Sequence, residues 1–423
     1  MATPSITMIP SGYKSQKVYS VLPTNGDGDL TFDRNNAGSR VNKNGLIEQV
    51  ATDVPRLDYS DGSCPSLLLE PERTNVIDNS SNFFVGSWSG SRVSEGSTIN
   101  APDGNNEAHK LIATSVSNTH SKDYTVSSAS SGSYTGSCFF KKGEFNVGVI
   151  RMSVDSYANR IGVYINLDNG THLQTSTVGS PTGTSYKIED YGNGWYRLSV
   201  SIIHTSGELK MSLSNSPSNY SNSNGLPMFL GNDSDGGYSW GGQLEQGSYA
   251  TSYIPTTDSP QSRGADSAIK DGLSSYISST EGVLYFEGSS IANDGTFKRI
   301  SIGTSDDSFA NSIQLRYNVV DNSITYQFRV GSVYQADLTI TANTTNVNKI
   351  ACVWKINRFE IWVNGLKQAE DTSGSVPSSN TFNSLFFGKS SNALVEPFKG
   401  NIKDLRVYNT ALTDAELITL TTI

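Results

Sequence analysis

Cysteine, long apolar runs and basic charge are all scarce in this 423-residue sequence, and each shortage excludes a class of protein. The three cysteines (Cys64, Cys138 and Cys352) are odd in number and far apart, which excludes a disulfide framework and a Cys-x-x-Cys zinc site. We expect all three to be buried, reduced thiols. No run of about 18 apolar residues occurs, so no membrane insertion is predicted. A net charge of −9 excludes a basic surface for nucleic acid.

Signals for secretion and for catalysis are also missing. The N-terminal sequence MATPSITMIP has neither the cationic start nor the apolar stretch of a secretory signal, so we expect synthesis in a reducing cytoplasm. The sequence has no nucleophile elbow, P-loop, dinucleotide-binding turn or zinc-protease helix, and the four histidines show no metal-ligand spacing. It therefore predicts a protein that is not an enzyme and has no cofactor. A pair of carboxylates suffices for a glycosidase, so a polysaccharide depolymerase remains an alternative.

The sequence is rich in small polar residues and glycine and poor in charged residues. Charged residues make up 17% of the chain and hydrophobic residues 35%, while there are 39 glycines. This composition favours short strands joined by many turns, and an aromatic content of 10% supplies large side chains for a core. Segments such as GNGWYRLSVSIIHTSGELKMSLS alternate apolar and polar residues with period 2. We predict an all-β protein built from antiparallel β-sandwiches, each sheet with one solvated face.

The pattern divides the chain into three ranges. Residues 1–75 are irregular and poor in core residues, with a tight hairpin predicted at Asn44–Gly45. We interpret this range as an anchoring and oligomerisation segment whose arginine–carboxylate pairs hold it to neighbouring chains; a catalytic role for the carboxylates is the alternative. Residues 76–262 form a jelly-roll sandwich that ends in a Pro- and Ser-rich tether. Residues 263–423 form a second sandwich.

The last range carries the clearest local signals. Asn364–Gly365 predicts a hairpin, and Thr413 with Glu416 matches a capping box, so a short helix is predicted from about Asp414. The strands, the hairpin and the capped helix together predict that residues 263–423 fold on their own.

Tryptophan side chains are candidates for glycan stacking because a sugar ring packs against an exposed aromatic ring. In GYSWGGQLEQ, period 2 places Trp240 on the same face as Leu244, which predicts a core position rather than a sugar platform. Trp354 shares a face with other apolar residues and is also predicted to be core. Trp362 alternates against apolar neighbours and lies on the opposite face of its strand. We therefore expect Trp362 to be exposed and to stack on a glycan.

Two acidic loops are candidate ligand or calcium sites. LGNDSDGGYSW clusters Asn232, Asp233 and Asp235 among glycines, and IGTSDDS places Asp306 and Asp307 just after a strand. Oxygen-rich loops of this kind bind Ca²⁺, but ordinary Asp/Gly turns have the same composition. Calcium stays open as an alternative to the absence of a cofactor.

Two stretches resemble known families. FKGNIKDLRVYNTALTDAELITL, preceded by WKINRFEIWVNGLKQ, resembles the end of a laminin-G/concanavalin A-like lectin domain. That resemblance implies a two-sheet sandwich that often binds glycans or proteins, sometimes with calcium. FDRNNAGSRVNKNGLIEQVATDVPRLDY and the later WGGQLEQGSYATSYIPT are similar to tailed-bacteriophage fibre and head-spike proteins. There, an N-terminal segment precedes a carbohydrate-binding-module-like jelly roll.

These resemblances and patterns lead to one expected function. We expect a non-enzymatic head or tail fibre on the virion surface, a homotrimer that contacts other virion proteins through residues 1–75 and attaches to host-surface glycans. A structural capsid decoration protein without a ligand is the second hypothesis, and a polysaccharide depolymerase is the third.

Overall fold

The computed structural model describes residues 2–306, 309–319, 322–387 and 396–423. The protein is nearly all-β with antiparallel sheets, which confirms the predicted fold class. Asp307, one of the predicted ligand residues, lies outside the described residues.

The first strands along the chain are short. They are β1 (Ile6–Met8), β2 (Tyr13–Lys14), β3 (Lys17–Val18), β4 (Leu30–Asp33), β5 (Gly38–Val41), β6 (Ile47–Val50), β7 (Leu57–Asp58), β8 (Ser66–Leu69) and β9 (Arg73–Asn75).

The middle of the chain has longer strands. They are β10 (Ser89–Ser91), β11 (Val93–Asn100), β12 (Asn106–Ala113), β13 (Ser117–Thr119), β14 (Ser121–Val126), β15 (Gly132–Lys141), β16 (Val147–Val154), β17 (Asn159–Asn166), β18 (Thr171–Val178), β19 (Ser185–Asp190), β20 (Trp195–His204), β21 (Leu209–Ser216), β22 (Ser221–Ser223), β23 (Leu226–Leu230), β24 (Gly236–Gln246) and β25 (Gln261–Arg263).

The last part of the chain ends in a helix. Its elements are β26 (Ser267–Asp271), β27 (Glu281–Ser290), β28 (Lys298–Gly303), β29 (Ser312–Tyr317), β30 (Ser323–Val330), β31 (Val333–Thr341), β32 (Asn348–Lys355), β33 (Arg358–Val363), β34 (Leu366–Asp371), β35 (Ser384–Phe386), β36 (Gly400–Tyr408) and α1 (Asp414–Thr421).

The chain forms two compact units, and neither is continuous in sequence. Unit 1 consists of Met1–Ala37, Val50–Glu72 and Gly264–Ile423, and unit 2 consists of Gly38–Gln49 and Arg73–Arg263. The expected division into three consecutive ranges therefore differs from the structure at the N-terminal range, which contributes to both units.

Unit 1 is a sandwich of two large sheets. One has eight strands in the order β34-β33-β32-β27-β36-β8-β7, with β1 also paired to β36. The other has nine strands in the order β2-β3-β4-β26-β35-β28-β29-β30-β31. A single cluster of buried apolar residues contains side chains from both sheets, so the inner faces of the sheets share one core.

The N-terminal range is part of this core, which corrects the expectation of a separate, core-poor anchoring segment. Ile6, Met8, Leu30, Phe32 and Leu69 are all at most 1% exposed and belong to the unit 1 core cluster. Their strands are too short to form a sheet alone, but they pair with strands from the last third of the chain: β1 and β8 with β36, and β4 with β26. A few apolar residues suffice to bury these strands, because each strand is added to a sheet that the rest of unit 1 forms.

The arginines of the N-terminal range pair within the chain rather than with neighbouring chains. Arg56 contacts Glu70 and Asp266, and Arg34 Nη1 lies 3.2 Å from Asp266 Oδ1, all four side chains being almost fully buried. Burial opposes the charge on Arg56, but the two carboxylates outweigh it and raise its pKa. This cluster joins Arg34, Arg56 and Glu70 to Asp266 inside unit 1.

Unit 2 is also a sandwich, as the alternating pattern predicted. Its two six-stranded sheets have the orders β10-β14-β21-β16-β17-β18 and β11-β12-β24-β15-β20-β19. Its main apolar cluster lies between them. The β5–β6 hairpin at Asn44–Gly45 forms as predicted, with φ of 76° at Gly45, and Ile47 from it packs on a second, smaller cluster.

Trp240 is a core residue, as predicted, but not for the predicted reason. It is 1% exposed and packs in the smaller cluster, whereas Leu244 belongs to the main cluster on the other side of the sheet. The β15–β24 register shifts at Gly241, which has φ of 66°. At this β-bulge the side chains of β24 switch from one face of the sheet to the other. A period-2 pattern therefore does not predict which residues share a face on the two sides of the bulge.

The expected tether after β24 is packed against unit 2. Tyr253 and Ile254 are each 5% exposed, and the Tyr253 hydroxyl is 2.6 Å from Ser80 Oγ. The Pro- and Ser-rich composition indicated a linker, but the buried side chains of Tyr253 and Ile254 hold this segment against unit 2.

Local signals near the C-terminus are confirmed. Asn364 and Gly365 join β33 to β34 with φ of 51° and 84°. The Thr413 side chain accepts from the Glu416 amide and the Glu416 side chain accepts from the Thr413 amide, so the capping box starts α1 at Asp414.

The three cysteines are free, and two of them are buried. Cys64 is exposed, which corrects the expectation of three buried thiols. Burial raises the pKa of Cys138 and Cys352, so both stay protonated. Among the described residues, no helix has the length and apolarity needed to cross a membrane.

Candidate functional site

The outer side of the nine-stranded sheet carries a grid of polar side chains in unit 1. Residues such as Ile300, Leu315 and Phe328 point into the core, so their neighbours on β28, β29, β30 and β31 point away from it. We call these outward residues the polar face.

Strand register aligns the polar face in three rows across the sheet. The rows are Arg299, Arg316, Thr325 and Thr339; then Ser301, Gln314, Gln327 and Asp337; then Gly303, Ser312, Arg329 and Tyr334.

One side of the polar face is covered. Arg299 lies 3.9 Å from the ring centroid of Phe309, and Arg316 lies 3.7 Å from that of Phe297. Glu396 is within 3.5 Å of Arg299 and 3.8 Å of Arg316. These cation–π contacts and ion pairs close that side, since each guanidinium has an aromatic ring and a carboxylate beside it.

The other side is open and ends at Tyr334. The Tyr334 side chain is 43% exposed, whereas Gln327 beside it is only 5% exposed. Gln327 Nε2 donates to Asp337 Oδ1 at 3.2 Å and to the Tyr334 hydroxyl at 3.4 Å. Arg329 donates to the same hydroxyl, and its guanidinium lies 4.1 Å from the Tyr334 ring centroid.

Gln327 has one polar atom with nothing to bind. Its Oε1 is buried and has no hydrogen-bond partner among the described residues. A buried acceptor without a donor costs about 1–3 kcal/mol, which a ligand hydroxyl at this position would relieve. The exposed Asp337 carboxylate is a second acceptor beside it, and the open Tyr334 ring offers an apolar surface.

This arrangement has the groups that a hydroxylated ring needs. Acceptors on Gln327 and Asp337 can receive O–H groups, the Arg329 guanidinium can donate to oxygens, and the Tyr334 ring can stack on C–H groups. Among the described residues, the polar face contains one exposed carboxylate, Asp337, and Glu396 lies beside this face as an ion-paired carboxylate.

Trp362 does not take part in this site, which corrects the prediction that it is exposed. It does lie on the predicted face of β33, opposite to the unit 1 core. However, it is only 4% exposed, because α1 packs on that face through Leu417 and Leu420. The eight-stranded sheet thus has apolar clusters on both faces rather than one solvated face.

Glu360 fixes Trp362 in this buried position. Its carboxylate accepts from Trp362 Nε1 at 2.8 Å, from Arg358 Nε at 3.0 Å and from Lys367 Nζ at 3.1 Å. Burial raises the pKa of Glu360, but the donors from Arg358, Trp362 and Lys367 outweigh it and lower the pKa overall. The indole is therefore held by a structural contact and is not available to a ligand.

The acidic loop at Asn232 is a closed turn. Asn232 Oδ1 accepts from the amides of Ser234 and Asp235, and Asn232 Nδ2 donates to Asp235 Oδ2 at 2.7 Å. Asp233 accepts from the Ser115 amide, and hydrogen bonds from Ser115 lower its pKa. The oxygens proposed as ligands thus bind the loop itself.

Asp306 is exposed and accepts a hydrogen bond from the Thr304 hydroxyl, while Asp307 lies outside the described residues. Within the described ranges, no group of three His, Cys, Asp or Glu side chains is placed to hold a metal ion. Of the six predicted site residues, the five that the structure describes all lie outside the polar face.

The residues of the polar face were missed because their signal is ordinary. In SIQLRYNVVDNSITYQFRVGS, Gln314, Arg316, Gln327 and Arg329 alternate with apolar residues, as polar residues do on any solvated sheet face. Only the register brings them together across four strands.

Residues 288–418 match the family model Laminin_G_3, of the concanavalin A-like lectin/glucanases superfamily. The match includes β28 to β36 and the whole polar face, but it covers less than half of the chain. It supports the predicted lectin-like sandwich in unit 1. No curated protein sequence matches the chain.

Solved structures show weaker likenesses. Ruminococcus gnavus IT-sialidase CBM40 bound to α2,3-sialyllactose is 18% identical over 34% of this chain and 83% of that chain, with a TM-score of 0.30. Domain 4 of AbnA, an extracellular arabinanase from Geobacillus stearothermophilus in complex with arabinotriose, is 20% identical over 37% of this chain and 73% of that chain, with a TM-score of 0.31. Leech intramolecular trans-sialidase is 20% identical over 34% of this chain, with a TM-score of 0.30, and the match spans only 24% of the leech enzyme. Likenesses at these TM-scores say nothing about what this chain binds.

Proposed function

We propose that the protein is a non-enzymatic glycan-binding protein and that the polar face of unit 1 is its binding surface. The observation that carries the proposal of glycan binding is the match of residues 288–418 to the concanavalin A-like lectin/glucanases superfamily, in the same stretch that builds the polar face. The buried, unpartnered Gln327 Oε1 beside the exposed Tyr334 ring agrees with a ligand that has both hydroxyl groups and an apolar face.

The biological setting of the proposal is the virion surface. The similarity of two segments in residues 32–257 to phage fibre and head-spike proteins supports a head or tail fibre that attaches to host-surface glycans. Because residues 1–75 are packed into the two units, contacts with other virion proteins would use exposed turns of this range rather than a free arm. Cryo-electron microscopy of virions labelled with an antibody to this chain tests the location, and unlabelled particles would contradict it.

Glycan binding is tested with the full chain on an array of bacterial surface polysaccharides. Tyr334→Ala removes the exposed ring, and we expect it to weaken binding by about 1–2 kcal/mol, or roughly 5- to 30-fold. Asp337→Asn removes the exposed acceptor charge and should weaken the same glycans. Tyr186→Ala is the matched control, because Tyr186 is equally exposed at 44% but lies in unit 2.

The outcomes of this experiment separate three functions. Binding that falls with Tyr334→Ala and not with Tyr186→Ala supports the proposal. Absence of binding to any glycan or host cell would favour a structural decoration protein. Release of reducing ends from a polysaccharide, abolished by a single Asp or Glu substitution, would favour a depolymerase instead.

A further inference from the structure

We propose that unit 2 has a separate binding site for an acidic glycan on the outer face of β14, β16, β17 and β21. The feature that carries this inference is a group of three cationic side chains around a buried hydroxyl that has no hydrogen-bond partner; among the described residues, two of the three cations have no carboxylate within 4.0 Å. It does not depend on the function proposed for unit 1.

Strand register places the cations side by side. Ser153 on β16 lies directly opposite Arg160 on β17 and Lys210 on β21. One row further along, Arg151 lies opposite Ser212. Ile150 and Met152 alternate with these residues and point into the main core, so the polar side chains point away from it.

Charge on this face is not balanced by the protein. Asp123, opposite Ser212 on β14, is the single carboxylate in these rows, against Arg151, Arg160 and Lys210. Within the described residues, neither arginine has a carboxylate within 4.0 Å, and the Lys210–Glu208 contact is long at 3.9 Å. The chain as a whole has a net charge of −9, so this face is locally positive on a protein that is negative overall.

Several buried polar atoms on this face have no partner. Ser153 is 1% exposed, yet its hydroxyl makes no hydrogen bond among the described residues. Three further buried atoms have no hydrogen-bond partner among the described residues: the Nε atoms of Arg151 and Arg160 and one carboxylate oxygen of Asp123. Arg151 uses only its terminal nitrogens, at 3.0 Å from Ser212 Oγ and 3.5 Å from the Asn224 carbonyl.

An oxyanion would satisfy the donors in this group, while a ligand hydroxyl would donate to the unpartnered Asp123 Oδ1. Burial lowers the pKa of Arg151, the Asp123 charge opposes that effect, and the like charge of Arg160 adds to it. A carboxylate, sulfate or phosphate oxygen between the guanidinium groups would restore the balance and form charge-assisted hydrogen bonds. The Ser153 hydroxyl would donate to the same group.

The surroundings of the cations suit a ligand larger than an inorganic ion. At one end, the Tyr157 ring lies 4.5 Å from Lys210 Nζ. Asp155, Ser156 and Tyr157 all have positive φ, between 52° and 73°, and such strained turns persist only where the surroundings hold them. Asp155 provides this support by accepting from the Thr205 and Ser206 amides.

A turn limits the site at its other end. A Cβ atom on Gly162 would lie 2.0 Å from the Gly225 carbonyl oxygen, so the Asn224–Gly225 turn lies directly over β17 there. Between this turn and Tyr157, Arg151, Arg160 and Lys210 are half-buried and therefore partly accessible to solvent. An aromatic ring beside a cationic row fits a sugar ring that carries an acidic group.

The test is a titration of the full chain with two matched sugars, glucuronic acid and glucose, followed by NMR or calorimetry. We expect binding of glucuronic acid and none of glucose at the same concentration. Arg160→Gln and Lys210→Gln should each weaken glucuronic acid binding about tenfold, since each removes a charge-assisted contact. Lys187→Gln is the control, because Lys187 is an exposed cation on the other sheet of unit 2.

Ser153→Ala distinguishes a binding site from a structural cluster. The hydroxyl has no partner in the free protein, so its removal should not lower the melting temperature but should weaken glucuronic acid binding. Unchanged binding in this variant and in Arg160→Gln, with both proteins folded, would overturn the proposal.

Inorganic phosphate separates the two sources of an oxyanion. Weaker binding of phosphate than of glucuronic acid supports a glycan site, and equal or stronger binding of phosphate would overturn that assignment. Tyr334→Ala in unit 1 should leave glucuronic acid binding unchanged. A loss in Tyr334→Ala, with no effect of Arg160→Gln, would place acidic glycans on the polar face of unit 1 and overturn the second site.

Discussion

At the scale of the residue, the ionisation of Glu360 should contribute to the stability of unit 1. It is 4% exposed, and its pKa is lowered from the ordinary value of 4.5 by donors that outweigh the effect of burial. A group with a lowered pKa stabilises the fold fully above pH 4.5 and loses that contribution as the pH falls through the lowered value. We therefore expect unit 1 to lose stability in acid over this window.

Glu360→Gln tests this expectation. At pH 7 the substitution should lower the free energy of unfolding by about 1.5–3 kcal/mol, because Arg358 and Lys367 then donate to a neutral amide and no longer to a carboxylate. The difference from the wild type should shrink as the pH falls below 4.5, since the wild-type carboxyl is then neutral too. Urea unfolding followed by tryptophan fluorescence at several pH values measures both. A difference that stays constant down to pH 2 would contradict the assignment.

Trp362 gives a second test at the scale of the residue. Because it is packed beneath α1, Trp362→Ala should destabilise unit 1 by about 3–5 kcal/mol, or leave it unfolded. Tyr334→Ala, at an exposed position of the same unit, should change stability by less than about 1 kcal/mol. Thermal unfolding followed by circular dichroism compares the two, and equal stabilities would mean that the indole is not buried.

At the scale of the element, the N-terminal strands decide what folds alone. The core of unit 1 includes Ile6, Phe32 and Leu69, and β36 pairs with β1 and β8. We therefore expect residues 264–423 expressed alone to lack a cooperative unfolding transition, which reverses the sequence-based expectation for residues 263–423. Near-ultraviolet circular dichroism and chemical-shift dispersion measure this.

Residues 73–263 provide the control for that experiment. They contain the whole main cluster of unit 2 and lose only the hairpin around Ile47. We expect this fragment to unfold cooperatively. If residues 264–423 did so equally well, the N-terminal strands would be additions to a complete sandwich.

Elements with a local cause were predictable from the sequence. The Asn44–Gly45 and Asn364–Gly365 hairpins depend on residues that adopt positive φ, and the start of α1 depends on Thr413 and Glu416. Each signal lies within four residues of its consequence. The alternation in β20 and β21 likewise follows from neighbours in the chain.

Elements with a distant cause were not predictable. The bulge at Gly241 depends on how β24 pairs with β15, and it exchanged the faces of Trp240 and Leu244. The burial of Trp362 depends on α1, some 50 residues later. The near-continuous apolar run around Ala351 and Val353 is the sequence feature that indicates a strand buried on both faces.

The candidate sites are the least predictable feature, for the same reason. Gln327 and Arg329 on one face, or Arg151 and Arg160 on the other unit, look in sequence like ordinary solvent-facing residues. These sites are distinguished by buried polar atoms that lack a hydrogen-bond partner. Whether a polar atom is buried without a partner can be judged only in the folded structure, after the strands have paired.

At the scale of the whole molecule, the two units differ in the chemistry that they offer. The polar face of unit 1 presents an exposed carboxylate and a tyrosine ring, whereas the outer face of unit 2 presents three cations beside a single carboxylate in the same rows. A chain with two such surfaces would bind neutral and acidic parts of a surface polysaccharide separately. The double set of variants, Tyr334→Ala and Arg160→Gln, distinguishes the two contributions, because each should affect one class of sugar.

The last prediction is that the protein is a homotrimer. Its first rationale, a core-poor N-terminal segment in need of partners, is removed by the structure, but avidity remains as an argument. An open sheet face that contacts a few hydroxyl groups binds one sugar weakly, and several linked copies raise the apparent affinity by about 10²–10⁴. We therefore expect light scattering to give three times the mass of one chain, and binding to a glycan-coated surface to exceed binding to the free sugar by that factor. A monomeric mass that persists at high concentration, together with equal binding to surface and free sugar, would contradict the trimer and leave the polar face to act singly.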